Sequence, residues 1–72
     1  MKGRTVFSAS DADRVRALLS QVRDADRDQQ KALRDRLRKE LGFYISDFTG
    51  SNAGFTAADF DSLVIKGTVK IE

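Results

Sequence analysis

One helix-starting cassette is written twice in this chain, as Phe7-Ser8-Ala9-Ser10-Asp11-Ala12-Asp13 and as Phe55-Thr56-Ala57-Ala58-Asp59-Phe60-Asp61. In each copy the hydroxyl side chain can accept from the first free amides of a helix. The Asp three positions later can reach back to the capping residue while favouring the positive end of the helix dipole. Both copies therefore predict a helix start. The preceding Phe stands where a hydrophobic staple begins, and in the second copy Phe60 is its expected partner at the fourth helical position. After Asp13 and Asp61 the copies diverge, so no repeated unit of the roughly 20–50 residues used by repeat folds follows. Capping physics selects the same residue types at both places.

Apolar spacing supplies the rest of the helical expectation. Val15, Leu18, Leu19 and Val22 follow the i, i+3, i+4, i+7 pattern that gathers side chains on one face, which predicts a helix over about 9–23. Leu33, Leu37 and Leu41 predict a second over about 27–41, opened by Asp26 with Gln29 and closed by Gly42 in the left-handed cap position. Between them, Asp24-Ala25-Asp26 contains neither Gly nor Pro, so one long bent helix is the alternative. The apolar stripe changes phase between Val22 and Leu33, which favours two helices joined as a hairpin. A third helix over about 57–66 should bury Phe60, Leu63 and Val64 and stop at Gly67.

Three short segments read as strands. Phe43-Tyr44-Ile45-Ser46 is aromatic and β-branched, Thr68-Val69-Lys70-Ile71 alternates, and Thr5-Val6-Phe7 can add a third, giving strands at about 4–7, 43–46 and 68–71. Thr49-Gly50-Ser51-Asn52-Ala53-Gly54 reads as an exposed loop. The expectation is a single small domain over 1–72 of the α+β class. It consists of a helical hairpin plus a third helix packed on a small two- or three-stranded sheet whose strand order stays open.

Composition excludes several function classes. With 72 residues the core is only just large enough to offset the entropy of ordering the chain, so a dimer or another partner would add useful burial. There is no Cys and no His, which removes disulfides, thiolate chemistry and the usual zinc and haem ligands; no cofactor is expected. No apolar run approaches the roughly 20 residues that span a bilayer, and Met1-Lys2-Gly3-Arg4-Thr5 is not followed by a signal-peptide core. The default is a cytoplasmic protein without a membrane partner.

Charge is more informative in its placement than in its sum. The 13 Lys and Arg against 11 Asp and Glu leave a formal +2, but residues 1–42 carry +4 and residues 43–72 carry −2. At about 100° per residue, Arg27, Lys31, Arg34 and Arg38 fall in one band beside the Leu33, Leu37 and Leu41 stripe. Such a row can track phosphates, with Gln29 and Gln30 as further donors. Helical spacing lets Asp24 pair with Arg27 and Asp35 with Lys31, which would leave Arg34 and Arg38 the least compensated. A helix-turn-helix reading is weak, because Asp24, Asp26 and Asp28 would repel phosphates at the entrance of the second helix.

Other constellations carry less. Gly50-Ser51-Asn52-Ala53-Gly54 before a helix could be a phosphate cradle, but it lacks the Walker spacing and its Lys, and Asp59 and Asp61 already occupy the positive helix end. Asp47, Asp59 and Asp61 follow no calcium-loop pattern, so no metal site is expected. Tyr44, Ser46, Asp47 and Lys66 form no nucleophile–base–orienter set, and no enzyme is expected. Phe43, Phe48, Phe55 and Phe60 crowd a short region, and a chain this small can leave an aromatic patch unburied. The sharper expectation is a non-enzymatic nucleic-acid-binding domain that contacts phosphates through Arg27, Lys31, Arg34 and Arg38. The alternative is a protein–protein interaction module, a subunit or inhibitor, using Tyr44, Phe48 and Phe55 with Phe48 exposed. A strand at 68–71 could also pair across a homodimer if it lies at a sheet edge.

Overall fold

Both cassettes open helices in the computed structural model, which describes residues 3–48 and 55–72. Helix α1 spans Ala9–Asp24, and Ser8 Oγ accepts from the Asp11 amide at 3.1 Å. Helix α2 spans Arg27–Leu41, and Asp26 Oδ1 accepts from the Gln29 amide at 2.9 Å. Helix α3 spans Ala57–Lys66 and carries the full capping box: Thr56 Oγ1 accepts from the Asp59 amide at 3.4 Å, and Asp59 Oδ2 accepts from the Thr56 amide at 2.9 Å. In α1 the return half of the box is replaced, since the Asp11 carboxylate lies 3.7 Å from Arg4. The loop expected at 49–54, with its phosphate-cradle reading, lies outside the described residues.

Extended backbone at Ala25 and Asp26 separates α1 from α2 and gives a hairpin rather than one bent helix. No Gly or Pro makes this turn. A side chain meets its carbonyls instead: Gln30 Nε2 donates to Val22 O at 3.0 Å, which also accepts from the Ala25 amide, and to Ala25 O at 3.1 Å, adding donors where the last turn of a helix lacks them.

The far end of α2 corrects the strand expected at 43–46. Gly42 closes the helix at φ 65° with its amide on Arg38 O, a left-handed position that favours glycine, and the Phe43 amide then turns back to Leu37 O at 3.0 Å. Tyr44 O accepts from the Asp47 amide and Ile45 O from the Phe48 amide, both at 3.0 Å, forming a short 3-10 turn over Ile45–Asp47. The aromatic and β-branched character of the segment serves core filling instead. The amides of Phe43, Asp47 and Phe48 are satisfied locally, and among the described residues the segment joins no sheet.

The remaining strands are shorter than their alternation suggests. Strand β1, Val6–Phe7, and strand β2, Lys70–Ile71, pair in parallel, with Val6 opposite Lys70 and Phe7 opposite Ile71. The Lys70 amide donates to Thr5 O at 2.8 Å and the Glu72 amide to Phe7 O at 2.9 Å. Helix α3 ends at Gly67, and the Thr68 and Val69 amides both return to Leu63 O, so cross-strand pairing can begin only at Lys70. Upstream of β1 the Arg4 amide is committed to Gly42 O at 2.8 Å. The sheet is therefore one pair of two-residue strands, and among the described residues no third strand joins it.

Helix α1 lies between its two neighbours and packs against both α2 and α3. Phe7, Phe43 and Phe60 are fully buried, with centroid distances of 5.9 Å for Phe7–Phe43, 6.2 Å for Phe7–Phe60 and 5.5 Å for Phe43–Phe60. Phe48 stacks on the Phe43 ring at 5.5 Å and Phe55 lies 6.0 Å from it, so Phe43 touches every other phenylalanine. Val15, Leu19, Leu37, Leu41 and Val69 complete the closed core. Gly3 approaches the same corner so closely that a Cβ would stand 2.5 Å from Gly42 O and 2.7 Å from Tyr44 Cδ1. Its amide donates to Asp47 Oδ2 at 2.8 Å.

Truncating Phe43 should be the most damaging single core change. Phe43→Ala is expected to cost about 3–5 kcal/mol, a large part of the roughly 5–15 kcal/mol available to a domain, whereas Phe48→Ala, which empties a half-buried position, should cost clearly less. Urea unfolding followed by circular dichroism measures both. Equal losses would show that the ring cluster has no centre.

Candidate functional site

Ion pairs sort the basic side chains into two groups. Arg14 NH2 lies 2.8 Å from Glu40 Oε1 and Arg36 Nε lies 2.9 Å from Glu40 Oε2, so one carboxylate ties α1 to α2 while bracing α2. Arg16 Nε lies 2.7 Å from Asp61 and its NH1 3.0 Å from Asp13, joining α1 to α3, with its guanidinium over the Phe60 ring at 5.5 Å. Arg4 reaches Leu41 O and Val6 O and sits over the Phe7 ring at 4.9 Å. Each of these arginines is used by the scaffold.

The expected site residues divide along the same line. Arg38 pairs with Asp35 one turn earlier, which corrects two expectations at once: Asp35 is not the partner of Lys31, and Arg38 is not among the least compensated cations. An i, i+3 reach from Asp35 to Arg38 competes with the i−4 reach to Lys31, and the guanidinium wins with its broader fork of donors. The expected Asp24–Arg27 pair is also not formed. Among the described residues, Arg27, Lys31 and Arg34 make no ion pair, and Arg27 and Lys31 are exposed while Arg34 is half-buried.

Their position follows from helix geometry. Leu37 and Leu41 face the core and Glu40 reaches across to α1, so the band of Arg27, Lys31 and Arg34, about 60° wide, lies on the flank of α2 turned away from α1. Asp28 and Asp35 stand on the outer border of the band. On the opposite flank, at the hairpin, an open groove of about 400 Å³ is lined by Ser20, Gln21, Asp24, Ala25, Gln29 and Leu33. It presents one carboxylate and no cation.

The aromatic alternative is reduced by the packing. Phe48, expected to be exposed, is half-buried against Phe43, because the 3-10 turn folds it back over the ring; Tyr44 and Phe55 are half-buried as well. Among the described residues, the large apolar side chain that projects furthest is Ile65 on α3, 86% exposed, ahead of Val6 and Ile71. Sequence reasoning passed over it because it adjoins Val64 on the apolar side of the run, yet one residue is a rotation of about 100° on a helix. Asp59 and Asp61 serve the cap and Arg16 respectively, and Asp47 holds Gly3. Among the described residues no helix is long and apolar enough to cross a membrane. Comparison with protein-family models, curated proteins and solved structures finds no match.

Two groups are shifted by this network. Arg16 is held above its ordinary value, first by its hydrogen bond to Asp61, with burial acting against it. Glu40 is held below the usual carboxylate value, first by the hydrogen bond from Arg36 and then, against a desolvation cost, by the nearby charges of Arg36 and Arg14. A depressed folded-state value means that the carboxylate contributes fully near neutrality and loses that contribution as pH falls through the folded value, below the ordinary value of about 4.3. Glu40→Gln should therefore be less stable than the parent at pH 7, and the gap should close as the pH is lowered through and below the ordinary carboxylate range. Thermal unfolding across that range reads the convergence; a gap independent of pH would show that Glu40 acts only through its shape.

Proposed function

We propose that this domain binds nucleic acid without catalysing a reaction, and that Arg27, Lys31 and Arg34 on α2 make its contacts to phosphates. The observation that carries the reading is the sorting of charge. Arg4, Arg14, Arg16, Arg36 and Arg38 are occupied by carboxylates of the fold, whereas these three, gathered in one band, have no such partner among the described residues. They span two turns of a rigid helix, with rises of about 6 Å and 4.5 Å between successive members, so a single backbone strand can be followed along the axis. Arg38 extends the row toward the end of α2 but must leave Asp35 to take part.

The same geometry sets the mode of contact. Asp26 is fixed as the cap of α2 and Asp28 lies in its first turn, so carboxylates stand where a recognition helix would present its N-terminus. Contact is made through the side of α2, and phosphates rather than base edges are its object. Affinity of this kind should be modest and sequence-tolerant.

Salt dependence tests the reading quantitatively. Three phosphate contacts on duplex DNA predict a slope of log K against log salt of about −2.7, and each cation removed should reduce its magnitude by about 0.9. Binding is measured by fluorescence anisotropy on a labelled duplex and on single-stranded RNA. The triple replacement of Arg27, Lys31 and Arg34 by Gln should abolish binding to either, and Arg38→Gln should change it little. If the triple variant binds as tightly as the parent, the site is elsewhere.

A further inference from the structure

We propose that the outer edge of β2 is a self-association surface, on which Ile71 pairs antiparallel with Ile71 of a second copy of this chain. The backbone of β2 is committed to β1 on one edge only: the Lys70 and Glu72 amides donate to Thr5 and Phe7 carbonyls. Since successive strand residues direct their backbone groups to opposite edges, Ile71 N–H and C=O point away from β1. Among the described residues nothing pairs with that edge. The outer edge of β1 is treated differently, because the Arg4 guanidinium donates to Val6 O at 3.1 Å.

The side chains name the occupant. An antiparallel pair centred on Ile71 lets the two Ile71 residues exchange both backbone hydrogen bonds and sets Lys70 of each copy opposite Glu72 of the other. Lys70 and Glu72 are exposed and neither is in an ion pair among the described residues. Centring on Lys70 instead would set that cation against its own copy and turn the wrong backbone groups inward. The Lys-Ile-Glu pattern is thus complementary to itself in one register, the condition for a two-fold contact. Ile71, 36% exposed, gains an apolar neighbour on the same face. A lysine on a free edge ordinarily discourages pairing; here Glu72 supplies the opposite charge in the position where a second copy needs it.

Sedimentation of the whole chain without nucleic acid, from about 10 μM to about 1 mM, is the test, since two backbone hydrogen bonds and two exposed ion pairs support only weak affinity. The mass should rise from 8.0 kDa toward twice that value, with amide shifts that move with concentration confined to residues 69–72. Lys70→Glu and Glu72→Lys should each keep the protein monomeric at every concentration, and the double variant K70E/E72K should regain the dimer. Both positions are exposed, so the variants should fold, and circular dichroism checks it. A mass of 8.0 kDa throughout overturns the proposal, and so does a dimer indifferent to the single charge reversals, which would point to a different face such as that of Ile65.

Discussion

The structure depends on the burial of one ring, that of Phe43, and on the helix end that delivers it. Gly42 in the left-handed conformation turns the chain at the end of α2, the Phe43 amide bonds back to Leu37 O, and the side chain is left where β1 and α3 meet, against Phe7 and Phe60. Phe7 and Phe60 belong to the two repeated cassettes, so both helix starts are anchored on the same aromatic centre. Gly3 and Arg4 close the corner from outside through Asp47, Gly42 and Leu41. A domain near the lower size limit for a self-sufficient core gains from this economy, because one ring gathers Phe7 of β1, Phe48, Phe55 and Phe60 of α3.

Electrostatics then divide the surface. Exposed ion pairs contribute little to stability individually, and the pairs here matter more for where they fix the arginines. Glu40 holds Arg14 and Arg36 between α1 and α2, and Asp61 with Asp13 holds Arg16 between α1 and α3. Cations on the flanks where helices meet are neutralised by the fold. On the outer flank of α2, Arg38 is held by Asp35, while Arg27, Lys31 and Arg34 have no carboxylate partner among the described residues and form the proposed phosphate surface.

Local signals with a fixed chemical cause were legible in the sequence. The caps at Ser8, Asp26 and Thr56, the stops at Gly42 and Gly67, and the apolar stripes gave α2 and α3 at their observed bounds and α1 to within a residue. Segment 43–46 was not legible as a turn, because aromatic and β-branched residues suit a strand and a packed connection equally, and only the competition for amide donors decides between them. Phe48 misled for the same reason, as its exposure depends on a 3-10 turn that carries no sequence mark. In the site, the identity of the basic band could be read from spacing alone. The choice of Asp35 between Lys31 and Arg38 could not, since both lie within one helical turn and side-chain reach makes the selection. The Gln30 bonds to Val22 and Ala25 were equally hidden, because a glutamine in a helix gives no hint that it closes the preceding one.

Three cations are few for a nucleic-acid surface, and the carboxylates of the hairpin reduce their effect further. Asp26 cannot be given up, since its side chain caps α2, so the helix that carries the basic band also carries a negative charge at its start. That conflict is built into a hairpin whose turn is made by Asp and Ala rather than by Gly or Pro. It would confine the proposed contact to the side of α2 and limit what one domain can gain from counterion release. The proposed pairing of β2 edges would relieve the limit without altering the band wherever one nucleic acid reaches both α2 surfaces, the second then engaging at the effective concentration set by the first. The two proposals would then be coupled: by linkage, a nucleic acid that bridged both bands would stabilise the dimer by as much as the dimer strengthened its binding.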